Sequence, residues 1–171
     1  VKLLAPLLDG TREEVLYAMS VIGAEKSVTV KYFGLLVSSD EEEFKNKCAE
    51  IIKENADEVS ALAIERYKLG EDQGLMLEIL SRSTVKSDEI LEALLNAFRT
   101  DPDNVPMHAG YLALYGDERA LPYLLDKIDE EGISFVEFTE LKYAIESLGG
   151  EYSKERDFSD DPYYKLINPE G

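Results

Sequence analysis

Two stretches of this chain carry the same pattern, and that constrains the fold more than any other feature. Glu14-Val15-Leu16-Tyr17-Ala18-Met19-Ser20-Val21-Ile22-Gly23 aligns without a gap on Glu140-Leu141-Lys142-Tyr143-Ala144-Ile145-Glu146-Ser147-Leu148-Gly149. Upstream, Leu4-Ala5-Pro6-Leu7-Leu8-Asp9 matches Leu121-Pro122-Tyr123-Leu124-Leu125-Asp126 with a one-residue offset at the proline. The second copy holds about ten extra residues around Gly132. Between the copies, Gly70 and Gly116 close helical patterns, where glycine can take the left-handed cap. The interval from Gly23 to Gly70 is 47 residues and that from Gly70 to Gly116 is 46, each holding three helical patterns. Stacked helical arrays have such periods, because one helix pair cannot bury its apolar stripe alone and neighbouring pairs bury it for one another.

The helical reading rests on caps and spacing. Thr11-x-x-Glu14, Ser39-x-x-Glu42 and Ser134-x-x-Glu137 each match a capping box, in which hydroxyl and carboxylate satisfy free backbone N–H groups of the first turn. Apolar residues then recur at three and four: Val15, Ala18, Met19 and Ile22; Phe44, Cys48, Ile51 and Ile52; Phe138, Leu141, Ala144, Ile145 and Leu148. Further helices are expected over 57–69, 71–82, 87–99, 104–115 and 117–130. Val28, Val30 and Tyr32 alternate as in a strand, but Leu35, Leu36 and Val37 break the alternation. No second strand pattern exists to pair with them, so 28–38 is expected to be helical.

The run Gly116-Asp117-Glu118-Arg119-Ala120-Leu121-Pro122-Tyr123-Leu124-Leu125, followed by Leu141-x-x-Ala144-x-x-x-Leu148-Gly149, resembles a HEAT-like repeat of the phycobilisome-lyase type. It is similar to that repeat's proline-bearing first helix and its second helix ending in leucine-glycine. About 35 residues match well, residues 4–23 repeat them, and residues 24–115 match in period only. The arginine usual early in that family's second helix is absent; Val15 and Leu141 stand near its place. The resemblance implies an all-α fold, a right-handed α-solenoid of about four HEAT/armadillo-like repeats over residues 1–150. An acidic, aromatic tail, 151–171, is expected to fold back and cap the last repeat; a partner-binding peptide is the alternative.

Charge narrows the function. With 36 acidic residues against 18 basic ones the chain carries −18. Nucleic-acid binders need a basic footprint to neutralise phosphates, so binding to DNA, RNA or an anionic membrane is not expected. A basic partner is compatible. No apolar run approaches the roughly 20 residues that span a bilayer. Val1 to Leu8 lack a basic stretch and a small-residue cleavage site, so a cytoplasmic location is expected.

Recognisable chemistry is sparse. The single cysteine, Cys48, excludes a disulfide framework and reads as a core thiol. The single histidine, His108, reads as structural or surface. Asp126–Glu137 has the length of a calcium loop and a glutamate at position 12. However, Ile128 stands where position 3 needs an oxygen ligand, and Gly132 is displaced by one from position 6. No cofactor, metal or catalytic residue is therefore assigned. HEAT-like glycosylases of alkylated DNA work from a basic groove, which an acidic chain without tryptophan does not offer.

In HEAT arrays the second helices line the concave face, and Glu13, Glu43, Glu50, Glu92 and Glu146 are the expected partner-binding residues on it. The expected function is a non-catalytic protein–protein interaction module. The alternatives are an acidic sequestering or immunity-type inhibitor of a basic protein, and an accessory factor of a modification enzyme.

Overall fold

A computed structural model describes residues 1–169; Glu170 and Gly171, the end of the expected tail, lie outside the described residues. Helix accounts for 71% of the structure and no strand occurs among the described residues. The ten α-helices among the described residues are α1 (Arg12–Ile22), α2 (Thr29–Val37), α3 (Glu42–Ile52), α4 (Ser60–Lys68), α5 (Gln73–Ser81), α6 (Asp88–Thr100), α7 (Val105–Tyr115), α8 (Leu121–Ile128), α9 (Phe135–Ser147) and α10 (Pro162–Ile167). The chain divides into two compact units, Val1–Val85 and a second beginning at Lys86. The boundary thus falls inside the stretch expected to form one repeat domain.

Side-chain caps start α1, α6, α9 and α10. The Thr11 and Ser134 capping boxes form: each hydroxyl accepts from the N3 backbone, and Glu14 and Glu137 accept in return from the N-cap backbone. The Ser39 box does not. α3 starts at Glu42, so this glutamate occupies the first helical position instead of the third. The Ser39 hydroxyl reaches only the Glu41 N–H, at 3.1 Å. Glu41, the actual N-cap, turns outward to pair with Arg12 at 2.6 Å. The segment with strand-like alternation is helical: Val28 and Tyr32 are buried but Val30 between them is 54% exposed, which a strand face would not allow.

In the first unit α2 packs on α3 and α4 on α5, and α3 also packs on α5. The Arg12 guanidinium lies 3.4 Å from the Phe44 ring centroid, tying α1 to α3. Lys45, on α3, and Arg66, on α4, converge on Asp72 at 2.7 Å each. Asp72 takes a left-handed conformation (φ 48°) just ahead of α5, so this ion-paired carboxylate holds three helices at one point.

In the second unit α6 pairs with α7 and α8 with α9. α7 lies along α9, and α6 meets α8 where Arg99 stacks over Tyr123, 5.5 Å from its centroid. α7 thus packs on both α6 and α9, and α9 on both α7 and α8.

The sequence repeat is also a burial repeat. Val15, Ala18 and Met19 of α1 are buried, as are Leu141, Ala144 and Ile145 of α9. Tyr17 and Tyr143 are exposed at the same place, 58% and 62%. Upstream, burial does not follow the sequence match, which pairs half-buried Leu7 with buried Leu124 and buried Leu8 with half-buried Leu125; it follows the proline, two residues before Leu8 and Leu124 alike. Copy two ends on Gly149, at φ +81°, and Gly150. A Cβ on Gly150 would stand 2.7 Å from Leu121 and 2.9 Å from Ile145, so only glycine lets the chain leave α9 this closely.

Beyond Gly150 the tail folds back on the last helices. The Tyr152 hydroxyl donates to Asp129 at 2.8 Å, and Lys154 pairs with the same carboxylate. Phe158 packs against Phe135 and Phe138, and Tyr164 meets the Phe135 ring edge-on at 5.1 Å. Asp161 caps α10 through the Tyr163 and Tyr164 N–H groups and accepts from the Phe135 N–H at the start of α9, at 3.0 Å. One carboxylate thus closes two helix N-termini.

Candidate interaction surface

All five expected partner-binding glutamates are exposed and lie on four helices, three of the residues in the first unit and two in the second. Glu13 lies in the first turn of α1, and Glu43 and Glu50 lie on α3. Glu146 is near the end of α9. Glu92 is on α6, which packs on α7. Two of the five already hold cations. Glu50 takes Lys53 at 2.6 Å, a lysine that also pairs with Glu78 of α5, and Glu92 pairs with Arg99. A carboxylate with an intramolecular cation at hand is a weaker attractor for an external one.

In the C-terminal unit, α7 and α9, which pack on each other, show apolar surface. α7 carries no Asp, Glu, Lys or Arg in a chain that is 32% charged. Its inner stripe, Val105, His108, Ala109, Leu112 and Tyr115, is buried. Met107 (44% exposed), Gly110, Tyr111 and Leu114 (51%) follow at intervals of three and four on its outer stripe. α9 presents Val136, Thr139, Tyr143, Glu146 and Ser147 to solvent, with Glu140 half-buried beside them. Sequence reasoning concentrated on carboxylates and missed this stripe; the absence of charge across 105–115 was the signal.

The titrating groups have structural partners. Burial pushes the Asp57 carboxyl up, but hydrogen bonds from Thr84, Ser83 and the Val85 N–H outweigh it and hold it below the ordinary carboxylate range. Asp72 behaves alike, with Lys45 and Arg66 overcoming burial. Arg119, a two-pronged donor, lowers Asp117. The carboxyl groups of Asp129 and Glu137, in the segment of calcium-loop length, are taken by Tyr152 with Lys154 and by Ser134. Cys48 is fully buried and burial pushes its thiol up to about 11. His108 is buried with Nε2 3.0 Å from Asp101.

These shifts predict a pH dependence. A carboxyl whose folded pKa is depressed favours folding above its unfolded value, near 3.9, and that contribution is lost as pH falls through the folded value. Asp57, Asp72 and Asp117 all have this sign. The thermal midpoint is expected to change little between about pH 7 and 5 and to fall below about pH 4. Dichroism melts across that range check it; a midpoint that rises below pH 4 would mean that relief of acidic self-repulsion outweighs these bonds.

A cavity of about 210 Å³ opens between α6 and α8, lined by Phe98, Arg99, Tyr123, Asp126, Lys127 and Glu130. Its charges are balanced, and Lys127 and Glu130 pair with each other at 2.6 Å. No helix is long and apolar enough to cross a membrane, and no cluster of three or more metal-ligating side chains occurs, among the described residues. In comparisons with family models, curated proteins and solved structures, the chain matches none of them significantly.

Proposed function

We propose that this chain is a non-catalytic helical-repeat module of HEAT/armadillo type that binds a protein along the layer formed by its second helices. The observation that carries the reading is the packing of the C-terminal unit, where α6 pairs with α7, α8 with α9 and α7 with α9, and where α7 and α9 leave largely uncharged side chains exposed. The matching burial of 14–23 and 140–149 supports a repeat origin for the pairs. A binding role in place of catalysis is supported by the titrating groups. Every carboxyl with a shifted pKa is lowered by structural partners, whereas a general acid needs a raised one. The only thiol is buried and protonated.

Affinity capture from the lysate of the source cells, followed by mass spectrometry, tests the reading. A protein retained in stoichiometric amount is the expected result; a small-molecule turnover activity would count against it. The acidic groups are expected to tune binding. With Glu13, Glu43 and Glu146 replaced together by Gln, association should slow a few-fold and lose part of its salt dependence, because surface charges act mainly on encounter. Thermal stability should stay within about 0.5 kcal/mol. Unchanged kinetics in the triple variant would assign the negative charge to solubility alone.

A further inference from the structure

The face of α7 and α9 has a composition that specifies its occupant. Met107, Tyr111 and Leu114 on α7 and Val136 and Tyr143 on α9 are exposed or half-buried side chains on two helices packed side by side, backed by α6 and α8. Gly110, in the middle of the α7 stripe, has no heavy atom within 4 Å of where a Cβ would stand, which leaves a notch between Met107 and Leu114. α7 is 11 residues long and α9 is 13, about 16–20 Å of helix at 1.5 Å per residue. That length matches three to four turns of a partner helix laid along it. The other flank of α9 is already covered by the tail.

Charge decides among partners. Of the net −18, the residues from Lys86 onward carry 8 Lys and Arg against 20 Asp and Glu, a net −12, while Val1–Val85 carries −6. Two thirds of the excess therefore sits in the unit that bears the apolar face. Glu140 and Glu146 stand one turn either side of Tyr143, and the one cation on these two helices, Lys142, is half-buried. A second copy of the chain would bring −12 against −12, and an anionic bilayer would be repelled likewise. We infer that this face docks an amphipathic helix of a partner protein, with an apolar stripe seated on Met107, Leu114 and Tyr143 and Lys or Arg along its flanks opposite Glu140 and Glu146. The inference rests on the protein-binding reading above and gives it a partner chemistry.

The test uses the full chain and a synthetic probe, a fluorescent Leu–Lys amphipathic peptide of about 18 residues, five helical turns. Controls are a Leu–Glu peptide of identical pattern and a scrambled Leu–Lys peptide. Expected are saturable one-to-one binding of the patterned Leu–Lys peptide, weakening with salt, and weak binding of both controls. Leu114→Glu and Tyr143→Ala should each weaken binding about thirtyfold or more, as truncations at interface centres do. Leu62→Glu, at an exposed leucine of α4, should not. All three sites are exposed, and melting curves verify that each variant is folded. No saturable binding, equal binding of the Leu–Glu or scrambled peptide, or insensitivity to Leu114→Glu overturns the inference. So does a wild-type dimer, or binding to phosphatidylglycerol vesicles, that Leu114→Glu abolishes while the peptide does not bind: the occupant is then a second copy or a membrane. If the peptide fails but wild type and Leu114→Glu retain the same lysate protein, the face is wrong and the protein-binding reading stands. If no protein is retained either, both fall.

Discussion

Deleting residues 151–171 is expected to destabilise the C-terminal unit by about 3–5 kcal/mol, one of the two largest effects foreseen for this chain. Tyr152 is 8% exposed, Phe158 packs against Phe135 and Phe138, and Tyr164 meets Phe135 edge-on. Burying one such ring contributes about 1.5–3 kcal/mol, against which the ordering entropy of the tail must be set. Deletion also removes one partner from the start of α9: the Phe135 N–H loses Asp161, while the Ser134 capping box remains. For a protein of this size the loss is a fall of on the order of 10 °C in the midpoint of that unit. The alternative role of the tail, a segment held ready for a partner, gives the opposite result. A tail that detaches easily contributes little, so a deletion that moves the midpoint by less than a degree or two would assign it to binding instead of folding.

Ile145→Ala and Tyr143→Ala, two residues apart on α9, are expected to differ sharply. Ile145 is fully buried in the face that meets α7 and α8, so its truncation should cost about 3 kcal/mol through lost transfer energy and a residual cavity. Tyr143 is 62% exposed and should cost under about 0.5 kcal/mol while removing a central contact of the proposed docking face. The equivalent pair in α1, Met19→Ala and Tyr17→Ala, should divide the same way, because burial follows the same pattern there. Urea denaturation of the four variants measures this. Similar losses at both members of a pair would show that the repeat in sequence is not a repeat in packing.

Helix was legible in the chain because its signals are local. The Thr11 and Ser134 boxes, the spacing of Ile90, Leu91, Leu94, Leu95 and Phe98, and the helix-ending glycines at 70, 116 and 149 each act within about two turns, and all are realised. The Ser39 box failed because its helix start was contested, in part from far along the chain. A run of four acids, Asp40 to Glu43, offers several competing starts, and pairing of Glu41 with Arg12, 29 residues away, selected a later one.

Sequence alone therefore determined the helices, the equivalence of residues 14–23 and 140–149, the buried thiol and the acidic charge. Each of these is set by residue type and short-range spacing. Tertiary structure alone decided which glutamates already hold a cation and which helices pack together. Glu92 was claimed by Arg99, and Glu50 by a lysine shared with α5. It also decided that the outer stripe of the uncharged α7 remains at the surface. An 11-residue apolar helix reads as core in a sequence window, since periodicity reports which residues share a face but not whether a neighbour covers it. In this fold α6 and α9 cover two sides of α7 and leave Met107 and Leu114 in solvent.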